Sequence, residues 1–258
     1  MKYFSSLLIL CAVASQSFAQ NPDTITITPD VVKTSVLKPG VHRYLVYFKK
    51  GQDSSRVNFQ LWTREIVKTD YHGKPALSVT QEWEDNSSVV HKVRSVSDAR
   101  TFAPLYHETW WKGRGAARFE FPEQRAYMND ALLTAEDTVK ARKSAYDAFH
   151  AALKDEYILN WHLDLEVFPI LPYQENRTFV INFYDPGFGA PKDQEYTVSG
   201  SGMLEGFDNQ KIDCWILEHK SPGNKELFWI SKKTKEVLKL EQEFRGQYRY
   251  KIKLGFSK

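Results

Sequence analysis

Gln247-Tyr248-Arg249-Tyr250-Lys251-Ile252-Lys253-Leu254, near the C-terminus of this 258-residue chain, changes character at every residue. Tyr248, Tyr250, Ile252 and Leu254 share one side of an extended backbone, and Gln247, Arg249, Lys251 and Lys253 share the other. Successive side chains of a strand point to opposite faces, so the stretch reads as an antiparallel strand with an apolar face on the core and a cationic face in water. The same period recurs upstream in Tyr44, Val46 and Phe48, in Leu77, Val79 and Trp83, and in Phe179, Ile181 and Phe183. It recurs again in Ala117, Phe119 and Phe121, which oppose Arg118 and Glu120. Turn signals such as His72-Gly73, Asp185-Pro186-Gly187 and Ser221-Pro222-Gly223-Asn224 separate these runs. The pattern predicts ten or more strands joined mostly by short hairpins: a mainly β fold, built as a curved antiparallel sheet or half-barrel.

One stretch, residues 129–154, leaves the period of two. Val139, Tyr146, Phe149 and Leu153 follow at offsets of seven, three and four among good helix formers, with Thr134 and Asp137 placed to cap. This predicts one amphipathic helix whose Tyr146/Phe149 stripe packs on the sheet, with a cofactor along that stripe as the sharper alternative. Residues 20–39, with Pro22, Pro29 and Pro39, read as an edge strand or an extended arm. Residues 40–258 then form a single β-rich domain with the helical insert, although a division into 40–128 and 155–258 stays open.

The N-terminus has the layout of a cleaved signal peptide: Lys2, the apolar run from Leu7 to Ala14, then Ser17-Phe18-Ala19 ahead of Gln20. The run is too short to span a bilayer, and no later segment is longer. A lipid anchor at Cys11 is disfavoured by Leu10, which stands where a small residue is wanted. The expectation is an exported periplasmic or extracellular protein that is not an integral membrane protein. Cleavage leaves Cys214 alone, so no internal disulfide can form. Its place between Ile212 and Ile216 suits a small buried hydrophobe better than a nucleophile.

With 35 Lys and Arg against 32 Asp and Glu, the chain gives no reason to expect nucleic-acid binding. Residues 220–258 hold 11 Lys and Arg against 4 Glu, which reads as the solvated side of ordinary strands or as a basic face for an acidic partner. No nucleophile elbow, phosphate loop, zinc spacing or His-Glu-x-x-His is present, so nothing calls for a cofactor or a metal. The strongest polar cluster is Asn160-Trp161-His162-Leu163-Asp164-Leu165-Glu166. If extended, it puts His162, Asp164 and Glu166 on one face, as a metal site or oriented base requires; a helical continuation scatters them, and a half-exposed strand makes them an outer face. His91 and His107, on neighbouring strands, read as partly buried imidazoles, and Gly200-Ser201-Gly202 as a turn or bulge.

Aromatic residues are abundant, at 7 Trp, 13 Tyr and 16 Phe. Most belong to a core, yet Trp62 and Trp83 on adjoining strands, the pair Trp110-Trp111 and Trp161 exceed what a thin sheet-and-helix core needs. In a regular strand Trp110 and Trp111 point opposite ways, which predicts that both faces there are covered. A curved sheet lined by Trp62, Trp83, Tyr106 and Trp111 would hold a lipid or other apolar or amphipathic ligand without catalysis. Two alternatives stand beside this: an envelope scaffold that contacts a protein partner through an edge strand or through Lys251 and Lys253, and an enzyme built on His162 and Asp164.

Three stretches carry a family resemblance: Ser97-Asp98-Ala99-Arg100-Thr101-Phe102-Ala103-Pro104-Leu105, Phe168-Pro169-Ile170-Leu171-Pro172, and the run from Leu227 through Trp229 to Leu238. Together they resemble bacterial exported proteins of domain of unknown function family 3108. The resemblance implies an envelope protein with a curved, largely antiparallel sheet, similar to the half-barrel of periplasmic lipoprotein carriers. It brings no catalytic residues, and the helical insert departs from it.

Overall fold

A computed structural model describes residues 23–206 and 209–255, so the signal-peptide reading of residues 1–19 lies outside the described part. After a short β1 (Thr24–Thr26), one meander runs through β2 (Gly40–Lys49), β3 (Val57–Tyr71), β4 (Lys74–Glu84), β5 (Val89–Asp98), β6 (Pro104–Trp111), β7 (Gly115–Glu120), β8 (Arg125–Met128) and β9 (Ala131–Leu132). Helix α1 (Lys140–Ala152), β10 (Leu159–Asn160) and a short helical passage containing α2 (Asp164–Val167) follow. A second meander then runs through β11 (Thr178–Tyr184), β12 (Lys192–Glu205), β13 (Lys211–Ser221), β14 (Asn224–Ser231), β15 (Val237–Phe244) and β16 (Gln247–Leu254). Antiparallel pairing of β16 with β2, Ile252 opposite Leu45, joins both meanders into one sheet. The sheet is curved and open, with β1 and β9 at its ends. Two pairings differ from the expected antiparallel pattern: β1 and β10 both lie parallel to β11. β10 reaches β11 through the helical passage, which is the crossover that parallel pairing requires.

That passage fills the hollow of the sheet. Leu159, Leu163, Leu165, Val167, Phe168, Ile170 and Leu171 all belong to the main core. They pack against Tyr44, Val46, Ile66 and Val79 from the first meander and against Phe179, Tyr196, Leu217, Phe228 and Leu240 from the second. Burying such side chains stabilises the fold by about 1.5–3 kcal/mol each before ordering entropy is counted. Residues 158–171 thus act as a plug that both halves of the sheet grip.

Helix α1 is shorter than the sequence period predicts. Residues 129–130 turn the chain into β9 at Ala131–Leu132, and the helix starts after Val139 with no side-chain cap. Asp137 instead accepts from the Thr134 backbone N–H (2.8 Å) and pairs with Arg142. The expected stripe is real but narrower. Phe149 packs with Ala145, Ala148 and Ala152 against Phe119, Phe121 and Tyr184, while Val139 is exposed and Tyr146 only half buried.

Two face assignments need correction. Trp110 is 37% exposed, so the outer face of β6 is not covered as expected. The alternation of β16 is present but inverted: Lys251 and Lys253 are 3% and 4% exposed and point inward, while Leu254 is exposed. Carboxylates inside the fold explain the inversion. Lys251 Nζ donates to Asp164 Oδ2 of the plug at 2.8 Å, and Lys253 Nζ lies 2.9 Å from Glu236 Oε1. On the outer face Tyr250 stacks on Tyr47, with ring centroids 4.9 Å apart. In β12 the ladder shifts register between Val198 and Gly200, the bulge expected there. Cys214 is buried, and burial pushes its thiol up to about 11, as suits a packing residue.

Candidate functional site: a cleft between a tryptophan ladder and a polar wall

Beside the plug, the inner face of the sheet opens into a cleft of about 560 Å³. An adjoining recess of about 310 Å³ shares Trp161, Asp185, Phe188 and Glu226 with it. This is the size range of small-molecule sites.

One wall follows from strand register. Trp62 pairs with Trp83, Trp83 with His91, and His91 with Trp111, across β3, β4, β5 and β6. Because paired residues share a face, the period of two forces these four rings onto one side. Trp62 and Trp83 stack with centroids 3.7 Å apart and 4° between planes; Trp111 meets Trp83 edge-on at 5.4 Å and stacks on His91 at 3.6 Å. Trp161 of the plug and Phe188, which is 54% exposed, extend the aromatic lining.

Of the four residues expected to line a ligand site, the structure therefore brings Trp62, Trp83 and Trp111 together. Tyr106 is placed apart from them. It sits on the opposite face of β6, where its hydroxyl donates to Glu108 at 2.9 Å and Arg94 lies over its ring. Burial, with that bond to Glu108, pushes its phenol up to about 12. One residue of register separates it from Trp111, because only odd-numbered positions of β6 from 107 to 111 face inward.

The floor is charged and paired. Arg64, 1% exposed, makes a two-pronged contact with Glu166: Nε donates to Oε1 at 2.9 Å, and a terminal nitrogen reaches Oε2. The other terminal nitrogen donates to Gln81 Oε1 at 2.9 Å. Lys251 carries its ammonium over Trp62, 4.7 Å from the ring centre, while it pairs with Asp164. Burial lowers Lys251 to about 8 against the pull of Asp164. Burial by itself would raise the Asp164 carboxyl, but Lys251 and then Arg64 bring it below the ordinary range. Sequence reasoning missed Arg64. The signal was available, since Trp62, Arg64 and Ile66 share the inward face of β3.

The extended reading of residues 160–166 does not hold. Asn160 caps a turn of 3-10 helix by accepting from the His162 backbone N–H at 2.9 Å, and α2 follows. Helical geometry sends the three side chains to different partners: His162 toward Asp185 (Nε2 to Oδ1, 3.1 Å), Asp164 to Lys251, and Glu166 to Arg64. Behind His162 lie His91 and His107, whose rings are 5.7 and 4.8 Å from it. Burial lowers His91 to about 3 and His107 well below its usual value, so both are neutral at physiological pH. Among the described residues no group of three His, Cys, Asp or Glu side chains is arranged to hold a metal ion.

The facing wall comes from the second meander. Asn224 and Glu226 of β14, Gln242 of β15 and Arg249 of β16 line the cleft, with Ser221 at its edge. Gln242 Nε2 donates to Asn224 Oδ1 at 2.7 Å and to Glu226 Oε1 at 2.8 Å. Burial raises the Glu226 carboxyl, partly offset by Arg249. The basic face expected of Lys251 and Lys253 is thus not a surface at all. Lys251 holds the interior of the cleft, and Lys253 is buried away from it against Glu236.

A family model described as a protein of unknown function, DUF3108, matches residues 43–253. No curated protein and no solved structure matches the chain.

Proposed function

The chain belongs to the DUF3108 family of proteins of unknown function, and from the cleft itself we propose that it is a non-enzymatic, exported envelope protein that seats an amphipathic ligand. The single observation that carries this reading is the tryptophan ladder. Trp62, Trp83 and Trp111 line an open cleft in a sheet whose hollow is otherwise filled by the plug. Large rings at a cleft wall offer apolar contact area at low conformational cost, and the polar wall opposite suits the other end of an amphipath. Export rests on residues 1–19, whose removal would place the protein in the periplasm or outside the cell. Among the described residues no helix is long and apolar enough to cross a membrane.

The test is native mass spectrometry and solvent extraction of gently purified protein, with tryptophan fluorescence titrated by a lysophospholipid. A co-purifying amphipath, or saturable quenching weakened about tenfold or more by Trp83→Ala, supports the proposal, since a truncated anchor commonly costs above 1 kcal/mol. Protein that carries no ligand and ignores added amphipaths overturns it. The same spectra report the N-terminus: a chain starting at Gln20 supports export, and an intact Met1 contradicts it.

A further inference from the structure

The cleft opens at one end of the sheet, among hairpin tips. Arg114 of the β6–β7 turn, Phe188 between β11 and β12, Pro222 between β13 and β14, and Phe244 at the end of β15 all line it. The turns are short: Trp111 pairs with Gly115, Ser221 with Asn224 and Phe244 with Gln247, so each tip projects past the strands with little chain of its own. Side chains on these tips stay outside. Phe188 and Phe244 are 54% and 47% exposed, and Arg114, Pro222 and Arg245 are exposed as well. A lone exposed phenyl ring is ordinary on a protein surface. Two on separate tips around one opening, with a proline beside them, make an apolar rim.

Charge on the same tips is mostly of one sign. Residues 111–115, 185–192, 220–225 and 243–247 hold six Lys and Arg against two acids, Asp185 and Glu243. Asp185 is taken by His162, and Lys220 and Lys225 share Glu218 of β13. Among the described residues no carboxylate pairs with Arg114, Lys192 or Arg245. Arg114 lies instead over the Trp111 ring at 6.0 Å and Arg245 over the Phe244 ring at 5.3 Å, while Lys192 borders the adjoining recess with Phe188. Each free cation thus stands beside an aromatic residue of the mouth. Arg245 takes φ 50° in the turn before Gly246, a position that Asn, Asp or Gly fills more readily, so turn formation does not explain an arginine there. The basic surplus of residues 220–258, which burial removes from the face of β16, reappears in part at these tips.

Exposed rings flanked by unpaired cations suit an anionic bilayer, where the rings enter the interface and the cations meet lipid phosphates. The cleft favours a bilayer over an acidic protein as the partner. An amphipath leaving a membrane reaches the opening without passing its tail through water only if the mouth lies against the lipid. We propose that this rim docks the protein on a membrane containing anionic phospholipid, with the mouth of the cleft against the lipid interface. The proposal rests on the ligand-binding reading above and adds the surface from which the ligand enters.

The experiment floats the purified protein with vesicles of phosphatidylcholine alone or with about one-third phosphatidylglycerol, at about 0.1 M and about 0.5 M salt. Anionic vesicles are expected to bind about tenfold or more tighter than neutral ones, with most of that preference lost at the higher salt. Arg114→Glu with Arg245→Glu should weaken anionic-vesicle binding about tenfold or more, since one cation near such a surface is worth about fivefold. Lys68→Glu with Lys233→Glu makes the same change in net charge at exposed positions toward the other end of the sheet, and should cost less than about threefold. Phe188→Ala with Phe244→Ala leaves charge untouched and should weaken binding about fivefold or more. Circular dichroism and melting confirm that each variant folds. Absence of vesicle binding, or equal losses from the two charge reversals, overturns the docking surface. So does binding that ignores the loss of both rings, which is the polyanion contact an acidic protein would make. The lysophospholipid titration of the unaltered protein decides the other reading separately. Lysophospholipid binding without vesicle binding leaves the ligand-binding reading standing, and vesicle binding without it upholds the docking surface and removes the amphipath. Neither kind of binding overturns both.

Discussion

Replacing Arg64 by Met removes the cation that fastens the plug to β3. Arg64 and Glu166 are 1% and 3% exposed, so the substitution strands a carboxylate in the interior. Breaking one side of a buried pair costs about 3–5 kcal/mol, chiefly as the penalty of the abandoned charge. The neighbours soften the remaining loss. Gln81 Oε1 still accepts from the Trp83 indole at 3.3 Å, and the His162 carbonyl still accepts from Gln81 Nε2 at 2.8 Å. We expect Arg64→Met to lower unfolding stability by about 4 kcal/mol. Arg64→Met with Glu166→Met should cost only about 1–2 kcal/mol, since no charge is left unpaired. The double-mutant cycle is read by urea unfolding with tryptophan fluorescence, and the two sites should couple by about 3 kcal/mol or more, given that Glu166→Met alone strands Arg64 in the same way. A loss below about 1 kcal/mol for Arg64→Met, or a double variant as damaged as the sum of its parts, refutes the claim that this pair locks the plug.

Acid stability offers a second check. Burial alone would raise the Glu236 carboxyl, but its contacts with His42 and Lys253 bring it down to about 2. A folded pKa below the unfolded one gives stability that is present above about pH 4.5 and lost as pH falls toward 2, here on the order of 1–3 kcal/mol. Glu236→Gln should be less stable at pH 7 and flatter between pH 5 and 2; an unchanged acid limb in urea titrations contradicts the assignment. Cys214, buried with its thiol pushed up to about 11, should react with an aromatic disulfide at pH 8 about a hundredfold or more slowly in folded than in unfolded protein. Equal rates would show that β13 is open there. A Cβ at Gly202 would sit 2.9 Å from Trp229 and 3.3 Å from Ile216, so Gly202→Ala should cost about 1–3 kcal/mol. Gly51→Ala meets nothing within 4 Å and should stay within about 0.5 kcal/mol. Equal melting shifts for the two would count against the close approach of Trp229 to β12.

Strand period placed the tryptophan wall correctly because a meander in regular register preserves it: Trp62, Trp83 and Trp111 meet through cross-strand pairs, each step fixed by a short hairpin. Tyr106 fails by the same rule, one residue out of phase. The polar wall was illegible for a different reason. Glu226, Gln242 and Arg249 meet at one cross-strand level, with Asn224 two residues along β14, only because β14, β15 and β16 are adjacent, and no spacing in the sequence announces which positions will share that level. The plug misled through its polar residues. A run from Ile158 to Leu171 that is mostly apolar is a core signal, yet His162, Asp164 and Glu166 at spacing two imitated a strand face.

The inversion of β16 shows where the period stops being informative. Alternation defines two faces but does not say which one is inside, and the ordinary rule assigns lysines to water. Here a one-residue slip would bring Tyr250 and Ile252 inward and turn Lys251 and Lys253 out. It would leave Asp164 and Glu236, 4% and 7% exposed, without their ammonium partners. Two buried carboxylates that lose their ammonium groups, keeping only weaker contacts such as His42 to Glu236 and Arg64 to Asp164, cost more than two apolar side chains gain, since the outer face already gives Tyr250 a stacking partner in Tyr47. The face of β16 is therefore chosen by acids that lie 87 and 17 residues away along the chain, Asp164 before Lys251 and Glu236 before Lys253. Only the folded plug brings the first of them into reach.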